Sequence, residues 1–268
     1  MSVDASLCQP TSGASCGACC GLYNFANHSR QALAATLGRA RESLRDAPRT
    51  RESFRERALA LRAEGPPPLF PMVRVCPLLG FLDDDHQRVG CLAHPLVIGV
   101  DLRDCGAYTA DVCEGFTCPS HTWLTQAQAE LVQAACPDWY LYGLVITDVD
   151  WVKTTLGLVE AQRAAPVDPR AILRSPRALE ACRELFALKE TAPNRPGAAP
   201  IFGAFEPAPD PEAEPVLRVL DYAGLGATPA AEDQAVLCLG YRPRDAAALE
   251  AARAHIRTRV EALAQALD

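Results

Sequence analysis

Apolar side chains recur at helical spacing over much of the chain. Leu33 and Leu37 lie one turn apart between Ser29 and Asp46, and Pro48 breaks that pattern. A second helix is predicted from about Arg51 to Ala63, with Phe54, Ala58 and Leu61 on one face, and Gly65 followed by Pro66, Pro67 and Pro68 stops it. Beyond Cys118-Pro119 the helical period dominates. Thr125 with Gln128 makes a capping box ahead of Leu131, Val132 and Ala135. After Pro137, Val145, Val149, Val152, Leu156 and Val159 repeat at threes and fours, which predicts one longer helix. Ser175-Pro176 is a good N-cap and first-turn pair for a helix turning Leu179, Cys182 and Phe186 inward. From Asp245 an amphipathic helix carries Leu249, Ala252, Ile256, Val260, Leu263 and Leu267.

Three stretches lack that period. The first 28 residues, rich in Ser, Gly, Cys and Asn, predict an irregular loop that something other than a core must hold. Residues 69–118 hold short apolar runs divided by Asp83-Asp84-Asp85 and by prolines, with a small hairpin expected from Gly80–Leu82 and Arg88–Leu92. Residues 191–215 contain seven prolines and predict a linker or long surface loop. The expected fold is mainly α with a small irregular or β element, in which Cys-rich loops join a helical C-terminal half. Its expected parts are a Cys-cluster domain over 1–120 with a helical insertion at 29–64, a helical region over 121–190 packed on it, the linker, and a segment 216–268 ending in the amphipathic helix.

Charge and composition narrow the function. Across 268 residues, 26 Lys and Arg face 33 Asp and Glu, and the net charge of −7 argues against nucleic-acid binding. At 49% apolar the chain is of globular rather than disordered composition. Met-Ser-Val-Asp at the start has no basic or apolar leader character, and no apolar stretch reaches the roughly 18 residues of a membrane span. A cytoplasmic protein with no membrane partner is expected. P-loop, dinucleotide-binding, serine-hydrolase and zinc-protease signatures are all missing from the sequence.

Twelve cysteines are the unusual feature, and nine of them fall in the first 118 residues. In a reducing compartment clustered thiols bind metal or do redox chemistry more often than they form disulfides. Cys16-Gly17-Ala18-Cys19-Cys20 places two sulfurs on one side of a tight turn, with a third thiol adjacent. Neighbouring side chains point apart, so Cys19 and Cys20 are expected to have different roles, one with Cys16 and the other at a second position or cluster. Cys76 and Cys91 flank the expected hairpin, Cys113 and Cys118 form another close pair, and Cys8 lies eight residues before Cys16. A shared site requires residues 8–20 and 76–118 to meet in space. Metal binding, a redox-active dithiol and buried thiols all remain open readings of these nine. For Cys136, Cys182 and Cys238, at apolar positions of regular elements, burial is expected.

Cys8, Cys16-Gly-Ala-Cys19-Cys20, a helical insertion, then Cys76-Pro-Leu-Leu, Gly90-Cys91-Leu-Ala-His94-Pro95, Cys113 and Cys118 resemble the YkgJ-type cysteine-cluster family, described as zinc- or iron-chelating. The resemblance covers residues 8–118, and the C-G-x-C-C run is its most specific part. It implies metal-ligand roles for Cys16, Cys19, Cys20, Cys76, Cys91 and Cys118, extending to Cys8 and Cys113. This sequence departs from the pattern in the wide gap from Cys8 to Cys16 and in carrying His94-Pro95, with a longer spacer, where the family commonly has Arg-Pro. Flagellin lysine methylases carry a similar Cys-rich pattern and are iron–sulfur proteins, which points to a [4Fe–4S] cluster, with zinc as the alternative.

The expected function is a metal-binding protein holding an iron–sulfur cluster or zinc, with a protein partner docking on the helical half. The alternative is an iron–sulfur enzyme modifying a protein substrate by methylation or hydroxylation. His94 and His121 stand near the cysteines, and a loop position explains His94 as well as ligation does. Asp83-Asp84-Asp85 reads as a solvated turn, Asp101 to Asp104 as a turn held by an Asp–Arg pair, and the arginines between 39 and 62, interleaved with acids, as exposed helix faces.

Overall fold

Small polar side chains open the helices where the periodicity starts. In the computed structural model, which describes residues 6–10, 13–192, 203–210 and 212–268, Ser29 accepts from the Ala32 N–H to cap α1 (Arg30–Arg45), and Thr50 accepts from Ser53 to cap α2 (Arg51–Glu64). The expected hairpin forms as β1 (Leu79–Phe81) and β2 (Val89–Cys91), antiparallel with Gly80 opposite Gly90. Short helices follow at α3 (Pro95–Ile98), α4 (Ala110–Gly115) and α5 (Ser120–Trp123). The helical half comprises α6 (Gln126–Ala135), α7 (Trp139–Ile146), α8 (Val149–Arg163), α9 (Pro169–Arg174), α10 (Pro176–Phe186) and α11 (Leu188–Thr191), and later α12 (Tyr222–Leu225), α13 (Asp233–Cys238) and α14 (Ala246–Ala266). The fold is mainly α, 54% helical with two small two-stranded sheets.

The Thr125–Gln128 capping box is formed in both directions. The long helix expected after Pro137 is instead two. Asp148 turns its side chain to the Trp151 N–H and starts a new helix there, because a capping carboxylate competes with continued helix at its own position. Of the Pro-rich stretch, residues 193–202 and 211 lie outside the described residues. Part of the remainder pairs as β3 (Phe205–Glu206) with β4 (Val216–Leu217).

Among the described residues burial falls into three apolar clusters. The largest joins α6, α7, α8, α10, α13 and α14 around Trp151, Phe186, Leu249 and Ile256, and includes the thiols of Cys136, Cys182 and Cys238. A second gathers Leu22, Tyr23 and Phe25 with Leu33, Leu37, Phe81, Trp139 and Tyr140, and a third lies between α1, α2 and the hairpin. The N-terminal segment is thus no loosely held loop. Leu7 and Ala14 enter the first cluster and residues 18–25 the second. Its backbone is held by side chains from elsewhere: Tyr142 Oη donates to Leu7 O (2.9 Å), Tyr23 Oη to Tyr140 O (2.9 Å), and Asn24 pairs with Phe70 N–H (2.7 Å) and Val73 O (2.8 Å). Single anchors at irregular spacing bury it, so no period announces it.

The helical half also encloses two ion pairs. Arg253 grips Asp233 at 2.7 and 2.8 Å, and Lys189 meets Asp148 at 2.7 Å while donating to Cys238 O at 2.7 Å. Both partners of the Lys189–Asp148 pair are more than 90% buried. Removing one charge strands the other in a medium that cannot solvate it. Lys189→Met should therefore lower the unfolding free energy by about 3–5 kcal/mol in denaturant titration, with the double variant carrying Asp148→Asn recovering part of the loss.

Candidate metal centre

The C-G-A-C-C run forms a single 3-10 turn, Ala18–Cys20. Cys20 N–H closes onto Gly17 O (3.1 Å) and Gly21 N–H onto Ala18 O (2.8 Å). Gly21 ends the turn at φ 85°, and a Cβ there would stand 2.6 Å from Arg74 O and 2.8 Å from Val75 Cα. This residue must be glycine for two reasons, its left-handed backbone and its close approach to the strand of chain leading into Cys76. That approach is sealed by Cys76 N–H donating to Cys20 O at 2.8 Å. The two cysteine segments do meet.

Each further cysteine is brought in by a local device. Cys8 lies beside Cys16 because Cys16 N–H donates to Cys8 O (2.9 Å). Cys91 ends β2, opposite Leu79, and Leu92 N–H binds Leu78 O (2.8 Å), which carries Cys91 alongside residues 76–79. Cys113 rides on α4, whose first N–H, Ala110, is held by Asp104 (2.6 Å). Cys118 precedes α5, and its sulfur lies 3.4 Å from Ser120 Oγ, which donates to Ile146 O (2.6 Å) in the helical half. The Cys19 and Cys118 thiols lie close enough to act on one another's ionisation.

Ala18 N–H donates to the Cys16 sulfur, two positions back, at 3.4 Å. The backbone N–H groups of Leu78, Ala93 and Ser120 favour the charged forms of Cys76, Cys91 and Cys118 from the same two-residue offset. The Ala107 N–H acts on Cys76 in the same sense, next to Gly106, where a Cβ would stand 2.8 Å from the Cys76 sulfur. Such donors favour the charged thiolate over the neutral thiol. Arg103, clasped by Asp101 at 2.9 and 2.7 Å, adds positive potential beside Cys91 and Cys113.

Burial and crowding oppose ionisation. Burial, then the neighbouring sulfurs, pushes Cys16 and Cys91 up to about 12, and burial raises Cys20 and Cys76 as well. Cys8 and Cys113 are exposed residues whose thiols are raised by local desolvation. In the Cys19–Cys118 pair the closeness of the two thiols raises Cys19 and lowers Cys118, so the negative charge settles on Cys118. Among the described residues no group of three or more His, Cys, Asp or Glu side chains is arranged so that it could hold a metal ion. The sulfurs are gathered within reach of one another's charge but do not share a coordination sphere. The donor set itself, all thiol, partly supplied with N–H donors and next to a clasped arginine, has the chemistry of a thiophilic metal site.

Several sequence candidates take other roles. His94 caps α3, its Nδ1 accepting from Leu96 N–H (3.2 Å). Cys105 points its thiol at Arg51 O (3.5 Å) on α2. Asp83 closes its own turn onto Gln87 and Arg88, and Asp84 pairs with Arg41. Ser120, Gly21 and Gly106 escaped the sequence reading, since a serine two residues after a cysteine or a glycine in a loop is too common to single out. A cleft of about 750 Å³ opens beside Cys76, with Arg39, Arg62 and Arg74 and the prolines 66–68 on its walls. No protein-family model, curated protein or solved structure matches this chain. The likeness to the YkgJ-type family therefore rests on the cysteine motif itself. No helix among the described residues is long and apolar enough to cross a membrane.

Gly21→Ala tests the docking of the two segments. The left-handed backbone alone should cost about 1–2 kcal/mol, with the clash at Arg74 adding to it. Thiol labelling of Cys20 and Cys76 should quicken, while buried Cys182 stays unreactive.

Proposed function

We propose that this chain is a metal-binding protein in which Cys8, Cys16, Cys19, Cys20, Cys76, Cys91, Cys113 and Cys118 hold thiolate-ligated metal, as an iron–sulfur cluster or as zinc. The observation that carries this reading is the gathering of eight thiols from three chain segments, sealed by the Cys76 N–H to Cys20 O bond, with the Ala18 N–H already donated to the Cys16 sulfur. Proteins seldom assemble thiols that burial and mutual repulsion keep protonated. A bound cation reverses that balance, taking the sulfurs as thiolates and pulling them together. The [4Fe–4S] assignment rests on the likeness to flagellin lysine methylases, and zinc is its competitor. Metal binding of this kind suits the cytoplasm, where thiols stay reduced.

The cleft beside Cys76 favours a second reading, an iron–sulfur enzyme acting on a protein substrate, since its arginine and proline walls are large enough to receive a peptide segment. Tight, stoichiometric binding of S-adenosylmethionine would raise this reading above the first.

Protein purified without air should contain iron with matching acid-labile sulfide and a brown colour, or be colourless with zinc. Cys16→Ser or Cys118→Ser should lower the metal content and destabilise residues 6–118, because loading and folding of an irregular thiol-rich segment are coupled. Cys182→Ser should leave the content unchanged. A folded, metal-free protein whose Cys19 and Cys118 thiols are oxidised to a disulfide by a partner disulfide, and reduced again by the resulting dithiol, would replace the metal reading with a redox one.

A further inference from the structure

We propose that the cleft beside Cys76 is a binding site for a small organic anion, one that carries phosphate or carboxylate groups on an apolar body. The inference stands on the cleft alone and holds whether or not the thiols take metal.

Arg39 reaches the cleft from α1, Arg62 from the last turn of α2, and Arg74 from the stretch leading into Cys76. Among the described residues no Asp or Glu lines it, although the chain as a whole carries −7. Elsewhere in the same half, Arg41, Arg45, Arg51 and Arg103 each meet a carboxylate. The cleft arginines that are engaged have neutral partners instead. Arg39 donates to Thr36 Oγ1 (3.2 Å), and Arg74 donates to Ala107 O (2.9 Å) and lies over the Tyr108 ring. Three guanidinium groups from three separate elements thus border one space with no carboxylate among its walls.

Between the arginines the walls are apolar. Phe25, Leu61, Val73 and Leu79 supply side chains, and Pro66, Pro67, Pro68, Pro71 and Pro77 supply much of the rest. Proline has no N–H, so a peptide laid along these walls finds few main-chain donors. Recognition falls instead to the guanidinium forks, whose paired N–H groups match the oxygens of phosphate or carboxylate. The volume of about 750 Å³ lies within the roughly 300–1,000 Å³ typical of small-molecule sites.

The fold holds this space open before any ligand arrives. Buried Asn24 pairs with Phe70 N–H (2.7 Å), Phe70 O (3.0 Å) and Val73 O (2.8 Å), and Cys76 N–H is fixed on Cys20 O (2.8 Å). The wall from Phe70 to Cys76 is therefore tied at both ends. Arg74 is already ordered by Ala107, so it loses little freedom when an anion binds.

The full chain as purified is titrated with anilinonaphthalene sulfonate, an aromatic anion that fluoresces on leaving water, and with uncharged N-phenylnaphthylamine. The sulfonate should saturate at about one equivalent and bind about tenfold tighter than the neutral dye. R39Q/R62Q removes two charges at exposed positions and should weaken the sulfonate about tenfold, leaving uptake of the neutral dye unchanged. R170Q/R177Q, an equal loss of charge at exposed positions of α9 and α10, should bind as wild type does. Naphthyl phosphate or naphthalene dicarboxylate should displace the sulfonate, and the better competitor identifies the anionic group. Equal uptake of the two dyes overturns the proposal, as does failure of both competitors. So does wild-type sulfonate binding by an R39Q/R62Q variant that is folded by circular dichroism. Displacement by tetraglutamate at lower concentration than by either small competitor overturns the small-molecule assignment in favour of an acidic peptide. Should R39Q/R62Q fail to fold, the wild-type preference for the charged dye, and its loss with added salt, decides.

Discussion

Sulfur atoms brought together raise the free energy of one another's charged forms, and the N-terminal half is organised around that repulsion. Eight thiols converge from residues 8–20, 76–91 and 113–118, and burial alone drives most of them toward the neutral form. The countervailing groups are modest and local: the Ala18 N–H donated to Cys16, and the Arg103 guanidinium clasped by Asp101. None of these neutralises a full set of thiolates. A bound cation would do so, and that need is what the proposed metal-binding function answers.

The helical half serves this region as a support. Ser120 ties the Cys118 turn to α7, Tyr142 holds Leu7 close to the first cysteines, and Tyr23 locks the segment after the C-C pair onto Tyr140. Leu7 and Ala14 lie within the core of the helical half itself. The two halves of the chain are therefore one packing unit at the cysteines, and α7, with every residue buried, is the element they share.

The helices were legible because their signals are local. Ser29, Thr50, Ser175 and Asp245 each sit one residue before an apolar period, and each caps the helix that follows. The hairpin was legible from its two short apolar runs, and burial of Cys136, Cys182 and Cys238 from the periods they belong to. The break at Asp148 was hidden, since its capping role depends on the side chain turning back to Trp151 and meeting Lys189 forty residues away. Convergence of the cysteine segments could be required from the sequence but not traced, because it depends on Gly21 lying against Arg74 and on the Cys20–Cys76 backbone bond.

The order of the cysteines along the chain has a consequence for assembly. Cys8, Cys16, Cys19 and Cys20 come first, Cys76 and Cys91 follow on either side of the hairpin, and Cys113 and Cys118 come last. A cross-link between Cys19 and Cys118 closes a loop of roughly a hundred residues, which in chain-entropy terms is worth on the order of 4–5 kcal/mol to the folded state. During synthesis from the N-terminus, residues 8–20 and the hairpin have left the ribosome before Cys113 and Cys118, so the Cys20–Cys76 backbone bond is free to form before the last two cysteines join the helices that emerge after them.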